Sequence, residues 1–144
     1  MRLLVQRSDY AKCVVDSHIT GEIESGLVVF VGFTDGDGME QIEYLAKKLV
    51  NLRIFPDEND VMNKSILDFG GSVLSISQFT LYADCNKGNR PSYVKAMKSE
   101  ESSKLYELFN EELRKYVKVE VGVFGGDMNI SLTNVGPTTI LLER

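Results

Sequence analysis

Two segments of the sequence carry polar side chains where a strand is expected to meet a loop, which is where functional sites are often built. The first is Ser75-Ile76-Ser77-Gln78-Phe79-Thr80-Leu81-Tyr82. As part of a strand over 73–82, it places Gln78, Thr80 and Tyr82 on one face. A threonine hydroxyl there can attack a carbonyl or orient a substrate, but no neighbour in the sequence would activate it as a nucleophile. An edge strand with a solvated end would show the same pattern.

A proline bend marks the second segment, Asn134-Val135-Gly136-Pro137-Thr138-Thr139. Proline fixes φ and removes a backbone donor, so Gly136-Pro137 predicts a bend inside an otherwise β-rich stretch. Most X–Pro peptide bonds in folded proteins are trans, which makes trans the default here. Taken alone, the segment is more typical of a simple turn than of a site.

Familiar catalytic sets are missing from the sequence. The single histidine, His18, lies in a stretch typical of a hairpin turn, so a general-base role is not expected. There is no Gly-x-Ser-x-Gly elbow, phosphate-binding loop or dinucleotide fingerprint. Asp35-Gly36-Asp37-Gly38 departs from a calcium loop and predicts a turn, and Asp57-Glu58-Asn59-Asp60 predicts a solvated loop. We therefore expect no metal site and no cofactor.

The two cysteines, Cys13 and Cys85, lack the spacing of a zinc site and are expected to be free packing residues. No apolar run approaches the roughly 18 residues that a membrane-spanning helix needs. The stretch 1–7 becomes charged within a few residues, unlike a signal peptide. We expect a cytosolic protein, in which thiols stay reduced.

Composition and charge limit the classes of protein to which this chain can belong. With 144 residues, 43% of them hydrophobic and 26% charged, the chain is expected to be one folded domain over 1–144. A net charge of -5 argues against a general nucleic-acid binder. Lys87, Arg90, Lys95 and Lys98 nevertheless follow one another with no acid between them after Cys85, and such a local patch can hold a phosphate backbone. The same cluster is typical of a solvated helix start.

Hydrophobic periodicity predicts the elements that must position the two polar segments. Apolar residues at helical spacing, followed by Pro56, predict a first helix over 42–52. Pro91 predicts the start of a second helix. The second helix has an apolar stripe made by Leu105, Leu108, Phe109, Leu113 and Tyr116. Its acidic face is made by Glu100, Glu101, Glu107, Glu111 and Glu112. Strands are expected over 3–6, 13–15, 26–33, 73–82, 117–124, 128–133 and 138–142, with a long loop over 57–70.

This order of elements indicates an α+β domain with one mixed β-sheet, or an open, barrel-like sheet, and two packed helices. Short apolar strands leave an unpaired sheet edge, and such an edge tends to associate with other chains. A homodimer is therefore a reasonable hypothesis.

The two polar segments resemble the signature motifs of the D-aminoacyl-tRNA deacylase family. Ser77-Gln78-Phe79-Thr80-Leu81 is similar to the first motif, and Asn134-Val135-Gly136-Pro137 to the second. Further matches follow in order over nearly the whole chain, at Gln6-Arg7, Gly21-Glu22-Ile23, Arg53-Ile54-Phe55, Gly88-Asn89-Arg90-Pro91 and Phe124-Gly125-Gly126-Asp127-Met128. The chain departs from the family at Val135, usually acidic, and at Thr138, usually valine. A related class has Pro and Ala in place of Ser77 and Phe79, which favours the D-amino-acid type here.

The resemblance implies hydrolysis of the ester between a D-amino acid, or mischarged glycine, and the terminal adenosine of tRNA, assisted by the ribose 2′-hydroxyl. It implies a homodimer without a cofactor, in which a cis Gly136-Pro137 step enters the partner's active site and excludes L-amino acids by clash. The catalytic motif would be Ser77, Gln78, Phe79 and Thr80. Arg7 and Met128 would support it, and Lys87, Arg90 and Lys95 would contact tRNA phosphates.

Two other interpretations stay open from the sequence. The small number of candidate catalytic residues is compatible with a non-catalytic RNA-binding dimer. A plain dimeric scaffold predicts no affinity for tRNA at physiological salt.

Overall fold

The computed structural model describes residues 1–144 and consists of a six-stranded sheet, a small hairpin and three helices. The strands are β1 (Arg2–Val15), β2 (His18–Ile23), β3 (Gly26–Gly32), β4 (Phe55–Pro56), β5 (Met62–Lys64), β6 (Ser72–Ser77), β7 (Val119–Val121) and β8 (Asn129–Glu143). The helices are α1 (Met39–Val50), α2 (Ile66–Phe69) and α3 (Ser99–Arg114), and a 3-10 turn spans Phe79–Tyr82. No helix has the length and apolar character needed to cross a membrane.

Strand β1 organises the sheet because it pairs on both edges. One edge pairs antiparallel with β3 and then with β2, and the other pairs antiparallel with β8. Beyond β3, strands β6 and β7 are added in parallel. Gly21 of β2 lies so near β7 that a Cβ there would be 2.7 Å from the carbonyl oxygen of Val121. The mixed sheet is thus nearly closed into a barrel, which confirms the predicted fold class.

Two apolar clusters hold the sheet and helices together. The larger lies between the sheet and the helices, where Leu45 and Leu49 of α1 meet Phe109 and Leu113 of α3. The smaller lies within the curved sheet, around Leu74 of β6. The first helix follows the prediction, since its buried residues recur at helical spacing and it ends before Pro56.

Several predicted boundaries are wrong because short segments join into longer elements. β1 and β8 are each one long strand, not two short ones, and β8 continues through Gly136-Pro137 by shifting its register against β1. The expected loop 57–70 contains β5 and α2. Ser65 caps α2, accepting from the Asp68 N–H while its own N–H donates to the Asp68 carboxylate, a pattern that fixes a short helix.

The second long helix begins later than Pro91 indicates. Residues 83–98 form a loop of bends and turns in which a bridge pairs Asp84 with Ser92, and α3 begins only at Ser99. The buried face of α3 also differs from the predicted one, because it runs through Ser102, Tyr106, Phe109, Asn110, Glu112 and Leu113. Leu108 and Tyr116 are exposed. Glu112, expected in water, is buried and paired with Lys115. The expected strand 117–124 is only β7, since Gly122 leads into a turn.

Candidate active site

A cavity of about 570 Å³ opens where β3 and β6 end. Its apolar wall includes Val31, Ile76, Phe124 and Met128, and its polar lining includes Ser77 and Gln78. Asp127 is the only carboxylate in the lining, which has no lysine, arginine or histidine. Such a cavity suits a small, largely uncharged group held by a few polar contacts.

The first motif lies at the edge of this cavity, but not as a strand. β6 ends at Ser77, the Gln78 N–H donates to Val31 O at 2.7 Å, and the chain then enters the 3-10 turn. The prediction of a strand to residue 82 is wrong because the neighbouring β3 stops at Gly32 and offers no further pairing. A Cβ at Gly32 would be 2.9 Å from Gln78 O, so a glycine allows this close approach.

The turn separates side chains that a strand would have aligned. Tyr82 is buried, whereas Thr80 is exposed. Burial, the largest cause, and the nearby Asp37 carboxylate raise the pKa of Tyr82 to about 12, so its phenol is uncharged at neutral pH. Arg2 fixes the end of the turn, since its Nη1 donates to Leu81 O at 2.7 Å and its guanidinium lies over the Tyr82 ring.

Thr80 is oriented by Gln78. The Gln78 Nε2 donates to Thr80 Oγ1 at 2.5 Å. A hydrogen-bond donor on a hydroxyl oxygen lowers its electron density, whereas a nucleophilic hydroxyl needs a base that accepts its proton. Ser77, Gln78 and Phe79 line the cavity, and Thr80 does not. This geometry favours an orienting role for Thr80.

An aromatic pair stands at the mouth of the cavity. Phe79 is 56% exposed, and its ring meets that of Tyr93 edge-on, with centroids 5.0 Å apart. Both rings also line the cavity. Exposed aromatic faces of this kind are suitable for stacking against a nucleic-acid base.

Helix α3 supports the strand that leads into the first motif. The Tyr106 hydroxyl donates to Ser75 O at 2.7 Å, two residues before Ser77, and burial raises the pKa of this phenol. The Tyr106 ring also lies 5.9 Å from that of Phe124 in the cavity wall. Nothing in the sequence marks Tyr106 as special, because an aromatic residue in a helix is usually only part of the core.

The second motif protrudes from the sheet. Gln6 pairs with Thr139 and Ser8 with Asn134, so the four residues 135–138 of β8 lie opposite the single residue Arg7 of β1. The excess forms a bulge around Gly136-Pro137, whose peptide bond is cis, and both residues are exposed. Bulges that aim a segment out of a sheet are frequent next to active sites.

Arg7 lies against this bulge. Its Nη1 donates to Ile54 O at 2.6 Å, and its Nη2 would be 3.1 Å from a Cβ at Gly136. The guanidinium thus fills the space behind the bend. Neither Arg7 nor Gly136 nor Pro137 lines the cavity, so a single chain does not bring the two motifs together.

The predicted phosphate contacts differ in availability. Lys95 pairs with Asp84, its Nζ lying 3.1 Å from Oδ2. That carboxyl has a lowered pKa, mainly because the Asn86 N–H donates to it and also because of Lys95. Lys87 and Arg90 are exposed and make no ion pair.

Other candidates from the sequence lie away from the cavity. His18 is exposed at the start of β2, with Nδ1 2.7 Å from Asp16 O. Cys13 is buried and Cys85 exposed, and both thiols are free. Asp57 accepts from the N–H groups of its own loop. No cluster of three or more histidine, cysteine or acidic side chains is placed to hold a metal ion.

Comparison with known proteins decides the family. A model described as D-Tyr-tRNA(Tyr) deacylase matches residues 4–143. The chain belongs to the D-Tyr-tRNA(Tyr) deacylase family. Curated members from Anoxybacillus flavithermus and Bacillus cytotoxicus, both called D-aminoacyl-tRNA deacylase, are each 51% identical over 144 residues, which is 99% of this chain and 99% of theirs.

Solved structures extend this deacylase family assignment to the fold. A protein titled c-Myc DNA Unwinding Element Binding Protein superposes with a TM-score of 0.95 and 35% identity, over 100% of this chain and 99% of its own. A probable eukaryotic D-amino acid tRNA deacylase gives a TM-score of 0.83 over 98% and 97%, but at 17% identity it supports the fold alone.

The departures from the deacylase pattern both lie in the bulge. Val135 precedes Gly136 and is half-buried. The hydroxyl of Thr138 would be 2.7 Å from a Cβ at Gly136. These two residues therefore surround the bend without replacing it.

Proposed function

We propose that the protein hydrolyses the ester bond between a D-amino acid and the terminal adenosine of tRNA, and that it also removes mischarged glycine. The observation that carries this proposal is the cavity that the family's first motif lines, with Ser77, Gln78 and Phe79 at one edge. Water adds to the ester carbonyl, the bond to the ribose oxygen breaks, and free amino acid and tRNA are released.

The site's lack of a strong base fits this reaction. An aminoacyl ester is already activated, and the neighbouring ribose 2′-hydroxyl can assist the attack. The protein then needs to position the ester and stabilise the developing oxyanion. In the 3-10 turn the first helical bond is donated by Leu81 to Gln78 O. The Phe79 and Thr80 N–H groups precede this bond and are the proposed oxyanion donors.

The site is proposed to be shared between two chains of a homodimer. Gly136 and Pro137 are exposed and lie outside the cavity of their own chain. A second copy can insert this bend into the cavity, with its backbone facing the substrate's α-carbon. An L side chain would then collide with the backbone, whereas a D side chain points away and glycine has none. Selection works by repulsion of the wrong substrate.

The tRNA backbone is proposed to be held outside the cavity. The cavity lining has no cation, so it offers nothing to a phosphate. Lys87 and Arg90 are exposed and shortly precede the cavity residue Tyr93 in the sequence. Lys95 contributes if it exchanges its ion pair with Asp84 for one with a phosphate. The Phe79–Tyr93 pair would meet the bases of the acceptor end.

Hydrolysis of D-tyrosyl-tRNA against L-tyrosyl-tRNA by the purified protein tests the proposal, with glycyl-tRNA as a third substrate. We expect rapid loss of the D ester and the glycyl ester and persistence of the L ester. Loss of both tyrosyl esters would support the hydrolase activity but contradict the exclusion of L-amino acids by steric clash. An intact glycyl ester beside a cleaved D ester would also contradict the clash, since glycine has no side chain to exclude.

The second candidate is a non-catalytic RNA-binding dimer. The exposed Phe79–Tyr93 pair and the free cations of Lys87 and Arg90 favour it, because stacking and phosphate contacts are sufficient for binding single strands. Binding of charged tRNA without loss of either ester would support this candidate over the hydrolase.

A further inference from the structure

The side-chain amide of Asn134 is hydrogen-bonded on both of its ends at the base of the bulge. Its Nδ2 donates to two carbonyl oxygens, Arg7 O and Thr138 O, each at 3.0 Å. Its Oδ1 lies 3.2 Å from Gln6 Nε2 and 3.2 Å from Thr139 Oγ1, both of which can donate to it. A primary amide has two donor hydrogens and two acceptor positions. Both donors have partners here, and the oxygen accepts from Gln6 and can also accept from Thr139.

These partners come from two strands, β1 and β8. Arg7 O and Gln6 belong to β1, while Thr138 O lies at the far side of the bend. The amide therefore closes the loop from Asn134 to Thr138 and ties it to β1 where the strand register shifts. Gln6 and Asn134 are half-buried and Thr139 is exposed. A polar network whose members have partners fixes the local geometry of the backbone.

A second layer joins this network to the bend itself. Thr139 Oγ1 accepts from Gln6 Nε2 at 3.2 Å, and it lies 3.1 Å from Pro137 O. Its single proton serves either Pro137 O or Asn134 Oδ1 at one time. The direction of the Pro137 carbonyl is thus coupled to the amide of Asn134.

We infer that Asn134 is a positioning residue for chiral selection, an inference that rests on the proposed function. It holds the backbone of Gly136 and Pro137 in the direction that meets the substrate's α-carbon in the partner's cavity. Asparagine suits the position because aspartate has the same shape but no donor for the two carbonyls, and alanine has no polar group. A looser bend still tolerates a D side chain but no longer excludes an L side chain.

The test compares Asn134→Asp and Asn134→Ala with the control Asn129→Asp. Asn129 lies at the exposed start of the same strand and makes no side-chain hydrogen bond, so the control carries the same change of charge. For both Asn134 variants, we expect the ratio of L- to D-tyrosyl-tRNA hydrolysis to rise about tenfold, from the loss of two hydrogen bonds. The control should keep the wild-type ratio.

An unchanged ratio in folded Asn134 variants would overturn the inference, even if their melting temperature falls, because that result describes a purely structural residue. Thr139→Val is the milder variant should both Asn134 variants fail to fold. It removes one partner of Oδ1 and should raise the ratio by a smaller factor, and no rise would count against the inference.

Hydrogen exchange separates this inference from the proposed function. Exchange over 134–139 should be faster in Asn134→Ala than in the wild type, while exchange in α1 stays the same. If the wild type fails to cleave D-tyrosyl-tRNA, the proposed function is wrong, and exchange still decides whether Asn134 holds the bend. Equal exchange in the variant and the wild type would refute the positioning role.

Discussion

At the scale of single residues, the geometry around Thr80 supports an orienting role for its hydroxyl rather than attack on the substrate. Its oxygen receives a hydrogen bond from Gln78, and the side chain lies outside the cavity lining. No base is placed to take its proton. The pair Gln78–Thr80 instead fixes the first residues of the 3-10 turn, whose backbone N–H groups are the proposed oxyanion donors.

This role predicts a modest effect of Thr80→Ala. We expect kcat to fall by about tenfold, as for one orienting hydrogen bond, with Thr80→Ser retaining most of the activity. Single-turnover hydrolysis of D-tyrosyl-tRNA measures both variants. A loss beyond roughly a thousandfold would exceed what a positioning contact provides and would assign Thr80 a direct part in the chemistry.

The resemblance to the family's motifs pointed in advance to part of the cavity lining. Ser77, Gln78, Phe79 and Met128 line the cavity, as the resemblance implied for a site. Tyr106 was missed, because its hydrogen bond to a β6 carbonyl depends on how α3 crosses the sheet. No sequence pattern predicts how α3 packs across the sheet.

At the scale of elements, long periodic segments were predictable and their ends were not. α1 carries a repeating apolar stripe and ends near Pro56, and both signals are local. The end of β6 depends on where β3 stops, which is a long-range property. The alternation of Gln78, Thr80 and Tyr82 has the period of a strand, but without a neighbouring strand the chain turns instead.

The packing of α3 against β6 gives a prediction at this scale. Tyr106→Phe removes the hydroxyl from Ser75 O, but that carbonyl still accepts from the Gly122 N–H at 3.0 Å. We therefore expect the free energy of unfolding to fall by only about 1 kcal/mol in urea denaturation.

The same change should also lower kcat/KM for D-tyrosyl-tRNA, since β6 leads directly into Ser77. Tyr44→Phe is the matched control, because Tyr44 lies on the exposed side of α1 and its hydroxyl makes no hydrogen bond. Equal stability and activity for Tyr106→Phe and the wild type would show that the contact does not position the strand.

At the scale of the whole molecule, β1 connects the two motifs. One edge pairs with β8, which carries the bend, and the other pairs with β3, whose end lies beside the cavity. The bend nevertheless is exposed and does not line that cavity. The distance between the motifs within one chain is what makes a shared site in a homodimer the proposed arrangement.

Mixed dimers test this arrangement directly. One chain carries Ala96→Trp, which fills its cavity, and the other carries Pro137→Gly, which alters its bend. In the mixed dimer the one open cavity faces an intact bend, so we expect it to reject L-tyrosyl-tRNA as the wild type does. The Pro137→Gly homodimer should cleave the L ester, and the Ala96→Trp homodimer should cleave neither.

Differently tagged chains, co-expressed and purified through both tags, give the mixed dimers for this measurement. If they cleave the L ester as readily as the Pro137→Gly homodimer does, the bend acts on its own chain's cavity or on none. A chain that is monomeric at assay concentration would contradict the shared site as well.

The exposed bend has a consequence for inheritance. In the proposed dimer, a chain with a faulty bend would place it in the cavity of a healthy partner and so give that partner a new activity against correctly charged tRNA. An enzyme that destroys the normal substrate of translation does harm at any dose, so a normal second copy of the gene would not mask it. Substitutions in the bulge should therefore behave as dominant alleles, whereas those that block the cavity should be recessive.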